Sequence, residues 1–220
     1  MFRPGRPCRR VAAPLLAVAL ALAVAGCDEP QPWHETEITG ALPPLALTMT
    51  RADDGQTVTA ADYRGKIVLL YFGYTFCPDV CPLTLSNIAQ ILDRLGPGAD
   101  QVRVLFVTVD PDRDTLPVLK QYADAFGPQV DGLRGDPAQL AALAKRYRVA
   151  YSVRPKTTEH AYEVSHGSAV YVFDRAGKVR LLLSSLSTGM PEIPGTAADL
   201  DRLIQGPPSP DLVHRLLDLL

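Results

Sequence analysis

The chain has 220 residues, enough for one domain with appendages, and its 47% hydrophobic and 21% charged residues suit a globular protein that buries a core without metal or disulfide staples. Its formal charge of −2 hides an asymmetry: the only charges in residues 1–26 are four arginines (Arg3, Arg6, Arg9, Arg10), which leaves 18 basic against 24 acidic residues, a net of −6, in the remainder. An acidic domain argues against a nucleic-acid partner, because phosphate binding needs a basic face.

The arginines precede an apolar run from Val11 to Ala25, interrupted by Pro14 and closing on Val24-Ala25-Gly26-Cys27. About 15 apolar residues fit the core of an export signal and fall short of the ~20 that a spanning helix needs. Small residues directly before a cysteine resemble a bacterial lipoprotein signal, in which residues 1–26 are removed and Cys27 is acylated. The competing reading is an uncleaved single-span anchor. Either way the domain is expected to be tethered to a membrane and to face outward. Asp28 resembles the mark that keeps some lipoproteins at the bacterial inner membrane.

Residues 27–46 are polar and proline-rich and read as a flexible tether, with Trp33 and His34 as idle linker positions. The domain itself is expected over residues 47–205. Residues 67–73 (IVLLYFG) form a continuous apolar run of the kind that fills a strand buried on both faces. Leu85, Ile88, Ile91, Leu92 and Leu95 then recur at helical spacing over residues 82–95, closed by Gly96-Pro97. A second buried strand is read at 102–109, and helices at 115–126 and 137–147. Strands at 168–173 and 178–184 flank Asp174-Arg175-Ala176-Gly177, a hairpin signal, and a last helix is read at 196–205. The order β-α-β-α-α-β-β-α predicts an α/β, thioredoxin-like fold, a central mixed sheet flanked by helices. Residues 206–220 form a leucine-bearing tail, read as an amphipathic helix docked on its own domain.

Cys8 falls in the signal and Cys27 at the acylation site, so the mature domain keeps Cys77 and Cys81. Two thiols four residues apart, in a compartment that permits disulfides, form a bond, a redox pair or a soft-metal site. A structural staple is the weakest of these, since so short a loop removes little chain entropy. The segment Gly73-Tyr74-Thr75-Phe76-Cys77-Pro78-Asp79-Val80-Cys81-Pro82 runs from a strand's carboxyl end into a helix, where ligands of open α/β sheets gather. Free N–H groups and the helix dipole there are expected to favour thiolates. One helical turn separates the sulfurs, so both can close a disulfide or face one ion. The spacing is one residue longer than the usual oxidoreductase CxxC, and Pro82 stands where haem attachment needs histidine. Zinc wants a fourth ligand that nothing near the pair supplies, whereas few soft thiolates suit Cu(I) and an added imidazole accommodates Cu(II).

A third ligand must come from elsewhere. His34 lies in the tether, His214 in the tail and His160 in a polar loop that reads as solvated. His166 precedes the strand at 168–173; if that strand runs antiparallel beside 67–73, His166 hangs over the sulfurs. Spacing alone favours reading it as a surface-loop histidine.

At these residues the chain resembles the Sco/SenC family. The matches are Gly65-Lys66, Tyr71 through Pro82, Val109-Asp110-Pro111-Asp112-Arg113-Asp114-Thr115 and Val164-Ser165-His166, within residues 41–205. The resemblance implies a thioredoxin-like fold and one copper ion per chain, Cu(I) or Cu(II), held by Cys77, Cys81 and His166. It further implies help in assembling the dinuclear copper centre of cytochrome c oxidase, with that enzyme's copper-accepting subunit and other periplasmic copper carriers as partners. The chain is then a metallochaperone, or a thiol–disulfide reductase using Cys77 and Cys81 as its redox pair; a redox or copper sensor is a third reading. Ser165 and Ala161 depart from positions that are often acidic in the family, which puts carboxylate tuning of the site in doubt. Asp110, Asp112 and Asp114 read as loop and helix-start residues, Asp114 as an N-cap.

Overall fold

A computed structural model describes residues 31–158 and 160–206. The apolar run at 11–25, Cys8, Cys27, His214 and the tail helix expected after residue 206 lie outside the described residues. No helix among the described residues is long and apolar enough to cross a membrane.

The sheet has eight strands in the order β1-β10-β9-β4-β5-β6-β2-β3. At its centre, β4 (Ile67–Gly73), β5 (Val102–Thr108) and β6 (Val130–Arg134) run parallel, and β9 (Val170–Phe173) lies antiparallel beside β4. Every residue of β4 is buried, as its unbroken apolar run predicts for a strand covered on both faces. Antiparallel additions extend both edges: β10 (Val179–Leu183) and β1 (Thr36–Glu37) on one side, β2 (Thr48–Arg51) and β3 (Thr57–Thr59) on the other. A separate two-stranded ribbon pairs β7 (Tyr151–Arg154) with β8 (Glu163–His166).

Four helices cover the sheet: α1 (Val80–Leu95), α2 (Leu116–Asp124), α3 (Pro137–Arg146) and α4 (Ile193–Gln205). Helix α1 turns Cys81, Leu85, Ile88, Ile91 and Leu92 inward, the stripe read from the sequence extended back by one turn to include the cysteine. A Cβ on Gly132 of β6 would lie 2.7 Å from Leu119 Cγ, so glycine is what lets α2 close on the sheet. On the opposite face the Tyr147 ring, just past α3, meets Phe173 edge-on at 5.4 Å and Tyr171 at 6.1 Å. Asp136 caps α3 by accepting from Gln139 N–H at 2.8 Å while Gln139 reaches back to Asp136 N–H.

Two expectations are corrected here. Strand β6 stands between the two helices read in succession, so the parallel set has three strands. Its sequence, VDGLR, carries a glycine and an aspartate that break the apolar run, and the signal is lost. The segment read as a flexible tether is built into the domain from Trp33 onward. Asp199 of α4, itself buried, accepts from the backbone N–H groups of His34 and Glu35, both at 2.9 Å, and meets His34 Nδ1 at 3.0 Å. Thr196 donates to Glu35 at 2.6 Å, Trp33 lies under the Arg202 guanidinium at 3.9 Å, β1 pairs with β10, and Leu45 is buried. Trp33 and His34 are therefore structural. Proline-rich composition hid this, because a two-residue strand and a carboxylate clasp leave no periodic pattern.

Asp199→Ala leaves the Glu35 N–H without its acceptor, and loss of such a buried bond costs about 1–3 kcal/mol. The expected result is a lowered melting temperature by circular dichroism, with far-UV spectrum unchanged at 25 °C.

Candidate metal and thiol site

Cys77 lies in the turn after β4, and Cys81 in the first turn of α1. Both are free thiols, Cys81 fully buried and Cys77 partly exposed. The helical step does what the spacing predicts: Cys81 N–H donates to Cys77 Sγ at 3.4 Å. The antiparallel pairing of β9 with β4 sets Val170 opposite Tyr71, so the chain just before β9 lies at the carboxyl end of β4. His166, which closes β8, thereby comes within 3.2 Å of Cys81 Sγ through Nε2. The three ligand atoms of Cys77, Cys81 and His166 all fall within 4.8 Å of one another. The other described histidines stand elsewhere: His34 on Asp199, and His160 exposed with its Nδ1 near the Ala161 carbonyl.

The imidazole is held in one tautomer. Its Nδ1 donates to the Gly167 carbonyl at 3.0 Å, and since a carbonyl only accepts, the bare lone pair is on Nε2, facing the sulfurs. Burial holds the His166 pKa below its usual value, with the Gly167 carbonyl opposing, so the ring stays neutral. Tyr74 and Tyr71 meet it edge-on, at centroid distances of 5.7 Å and 6.1 Å. Behind them, Tyr71 packs on Phe106 and Phe106 on Tyr122. The hydroxyls of Tyr71 and Thr84, buried beneath Cys81, have no hydrogen-bond partner.

The expected thiolate preference does not hold at Cys81. Burial pushes its thiol up to about 12, only partly opposed by a backbone contact at Tyr74 and by the Tyr71 hydroxyl nearby. Desolvation of a charge inside an aromatic wall outweighs the partial charge of a helix end. At neutral pH Cys81 is a thiol, with its sulfur 3.2 Å from Nε2 of His166.

Asp114 is the second correction. The N-cap of α2 is Thr115, which makes no side-chain cap bond, while the fully buried Asp114 carboxylate accepts from Thr75 N–H at 3.0 Å and Thr75 Oγ1 at 2.6 Å. Thr108 Oγ1 donates to it as well, at 2.6 Å. Asp114 thus pins the turn that carries Cys77 to the end of β5. Gly73 is equally demanding: a Cβ there would lie 2.8 Å from Cys81 Sγ and 2.5 Å from Phe106 Cε2. Neither role has a periodic sequence signal, although a glycine closing an apolar strand marks a close approach. Phe76 and Tyr162 also belong to the neighbourhood, and of the two Tyr162 is not distinguishable in the sequence from an ordinary loop aromatic.

A thioredoxin-like α/β domain with two thiols and an imidazole converging at its strand ends is a soft-metal or dithiol protein. The family model described as SCO1/SenC matches residues 48–203, and the chain belongs to that family. It is 35% identical over 181 residues to Protein SCO2 homolog, mitochondrial, of Mus musculus, across 79% of this chain and 71% of the relative. To Protein SenC of Rhodobacter capsulatus it is 39% identical over 123 residues, across 56% of this chain and 55% of the relative. The match to the Bos taurus SCO2 homolog spans 47% of that protein, so the chain covers about half the length of several curated relatives. Among solved structures, Bradyrhizobium japonicum ScoI with copper bound is 37% identical with a TM-score of 0.64, covering 73% of this chain and 98% of that one. Apo Sco1 from Thermus thermophilus is 31% identical with a TM-score of 0.68, covering 78% and 97%.

Two outcomes check this geometry. Gly73→Ala forces the Cys81 sulfur and the Phe106 ring apart and is expected to destabilise by about 1–3 kcal/mol, the usual range for overpacking, measured by urea denaturation. In thiol alkylation at pH 8, Cys77 reacts first and Cys81 lags, its rate climbing only as pH rises toward its pKa of about 12. Equal rates at pH 8 would show that burial does not control the Cys81 thiol.

Proposed function

We propose that the domain carries one copper ion on Cys77, Cys81 and His166 and delivers it to the dinuclear copper centre of cytochrome c oxidase. The observation that carries this reading is the convergence of two sulfurs and a bare imidazole nitrogen within 4.8 Å. Two soft sulfurs suit Cu(I), and the imidazole makes the same set acceptable to Cu(II). Bradyrhizobium japonicum ScoI, a relative that is 37% identical, was solved with copper bound, which supports the assignment of the ion. Copper is cargo in this reading. The protein's contribution is to hold the sulfurs on one helical turn, keep the imidazole neutral and screen the pocket with Tyr71 and Tyr74. Loading requires the Cys81 proton to leave to solvent, since Nε2 of His166 must keep its lone pair for the ion.

The export signal at 1–26, acylation of Cys27 and anchorage at the outer face of a bacterial inner membrane complete the proposal. An extracytoplasmic carrier tethered in this way would meet the copper-accepting oxidase subunit, and other periplasmic copper carriers, at the membrane surface.

A second reading, reduction of the acceptor subunit's cysteines by the Cys77/Cys81 dithiol, is favoured by one observation: both thiols are free and share one helical turn.

Anaerobic titration of the reduced full-length chain is expected to give one Cu(I) per chain. Cys77→Ser and Cys81→Ser abolish this, and His166→Ala weakens Cu(II) binding most. If His166→Ala leaves both copper states unchanged, the ligand set is wrong. Complementation separates the two readings, since His166→Ala would preserve a reductase and disable a copper carrier.

A further inference from the structure

His166 has an unusual support. It ends β8, and the β7–β8 ribbon shares no ladder with the eight-stranded sheet. No ladder of the main sheet therefore runs through the strand that carries the imidazole. The ribbon is joined to the domain by Val164 and Tyr151, which pack on the core, by the His166 ring, which meets Tyr71 and Tyr74, and by the short link to β9.

One further attachment is polar and specific. Tyr162, immediately before β8, donates its hydroxyl to Asp110 Oδ1 at 2.6 Å. Asp110 is 1% exposed and also accepts from Arg113 Nε. The Arg113 guanidinium lies 4.0 Å from the Tyr162 ring centroid, 4.8 Å from that of Phe76 and 5.8 Å from that of Tyr74. Phe76 precedes Cys77 in the chain and is 56% exposed, so Arg113 is the layer between the cysteine turn and the histidine ribbon. A planar cation held in place by a buried carboxylate is suited to this task, because it stacks on rings and donates in its own plane at once.

We propose that Asp110, Arg113 and Tyr162 form a latch that holds the His166 ribbon against the cysteine turn and so sets how firmly the imidazole grips copper. These are positioning residues; none of the three is a ligand. The latch rests on the copper-site reading for its consequence, although its effect on the ribbon exists without copper. Two cysteines on a helix turn are fixed by α1 and by Asp114, whereas the imidazole is fixed by contacts that can be undone singly. Opening the latch would detach the nitrogen ligand while leaving both sulfurs in place, a route by which a carrier could release one ligand at a time.

The test uses the full-length chain with Tyr162→Ala, Arg113→Ala and the gentler Tyr162→Phe, which keeps the stacked ring and loses only the hydroxyl. Amide hydrogen exchange in the copper-free protein is expected to quicken about tenfold across β7 and β8 in both alanine variants, with β4, β5 and α1 unchanged. Cu(II) affinity is expected to fall about tenfold, at the lower end of the range for groups that orient a metal ligand, and Cu(I) affinity by less. Tyr162→Phe falls between wild type and Tyr162→Ala. Cys81→Ser serves as the control. If it abolishes copper binding while the latch variants change neither ribbon exchange nor Cu(II) affinity, the latch is refuted and the copper site stands. If copper binding survives Cys81→Ser, the copper reading fails, and ribbon exchange alone decides whether the latch exists. Exchange that quickens equally in β4 and α1 would also overturn the latch, by showing a general loss of stability.

Discussion

The antiparallel pairing of β9 with β4 is the constraint on which the site depends. Strand β4 delivers the cysteine turn at its carboxyl end, and β9 must begin at that same end because it runs the other way. Whatever precedes β9 is brought to the rim beside the sulfurs, and His166 lies four residues before Val170. Residues 85 positions apart thus meet through a pairing buried at the centre of the sheet, where a one-residue slip would turn the whole strand inside out.

The centre of this architecture was legible because buried parallel strands leave unbroken apolar runs and α1 leaves a 3.6-residue stripe. Strand β4 agrees with its reading to the residue, and β5 within one residue. What was not legible depends on single contacts. Strand β6 is interrupted by the glycine that admits Leu119. The β7–β8 ribbon alternates half-buried and exposed positions with too few apolar residues to stand out. The clasp of Asp199 on His34 and Glu35 joins residues more than 160 apart, and Asp114 reached the turn of Cys77 when its spacing suggested a helix cap. Carboxylates are the hardest residues to place from sequence, since a cap, a turn and a long-range clasp ask for the same side chain.

The two cysteines differ in kind despite their shared turn. Cys77 is partly open to solvent, and Cys81 sits beneath tyrosine and phenylalanine rings with burial dominating its protonation. A low-dielectric surrounding that keeps a sulfur protonated also strengthens its attraction for a cation once the proton has gone. The same aromatic wall therefore shields the thiol from solvent and would strengthen the hold of its thiolate on a cation. The buried Tyr71 hydroxyl, without a hydrogen-bond partner of its own, leaves that wall with a donor still to be used when the sulfur becomes an anion.

The clasp of the N-terminal segment on α4 has a topological consequence. With Trp33 stacked on Arg202, the path of the backbone from β1 to the end of α4 is nearly a closed ring. A short peptide joining residue 206 to residue 33 would complete it, and new ends could then be cut at the exposed hairpin turn around Gly55, whose φ of 70° already marks a tight reversal. The rim that bears Cys77, Cys81 and His166 would be untouched by such a permutation, which makes the order of elements along the chain separable from the chemistry they support.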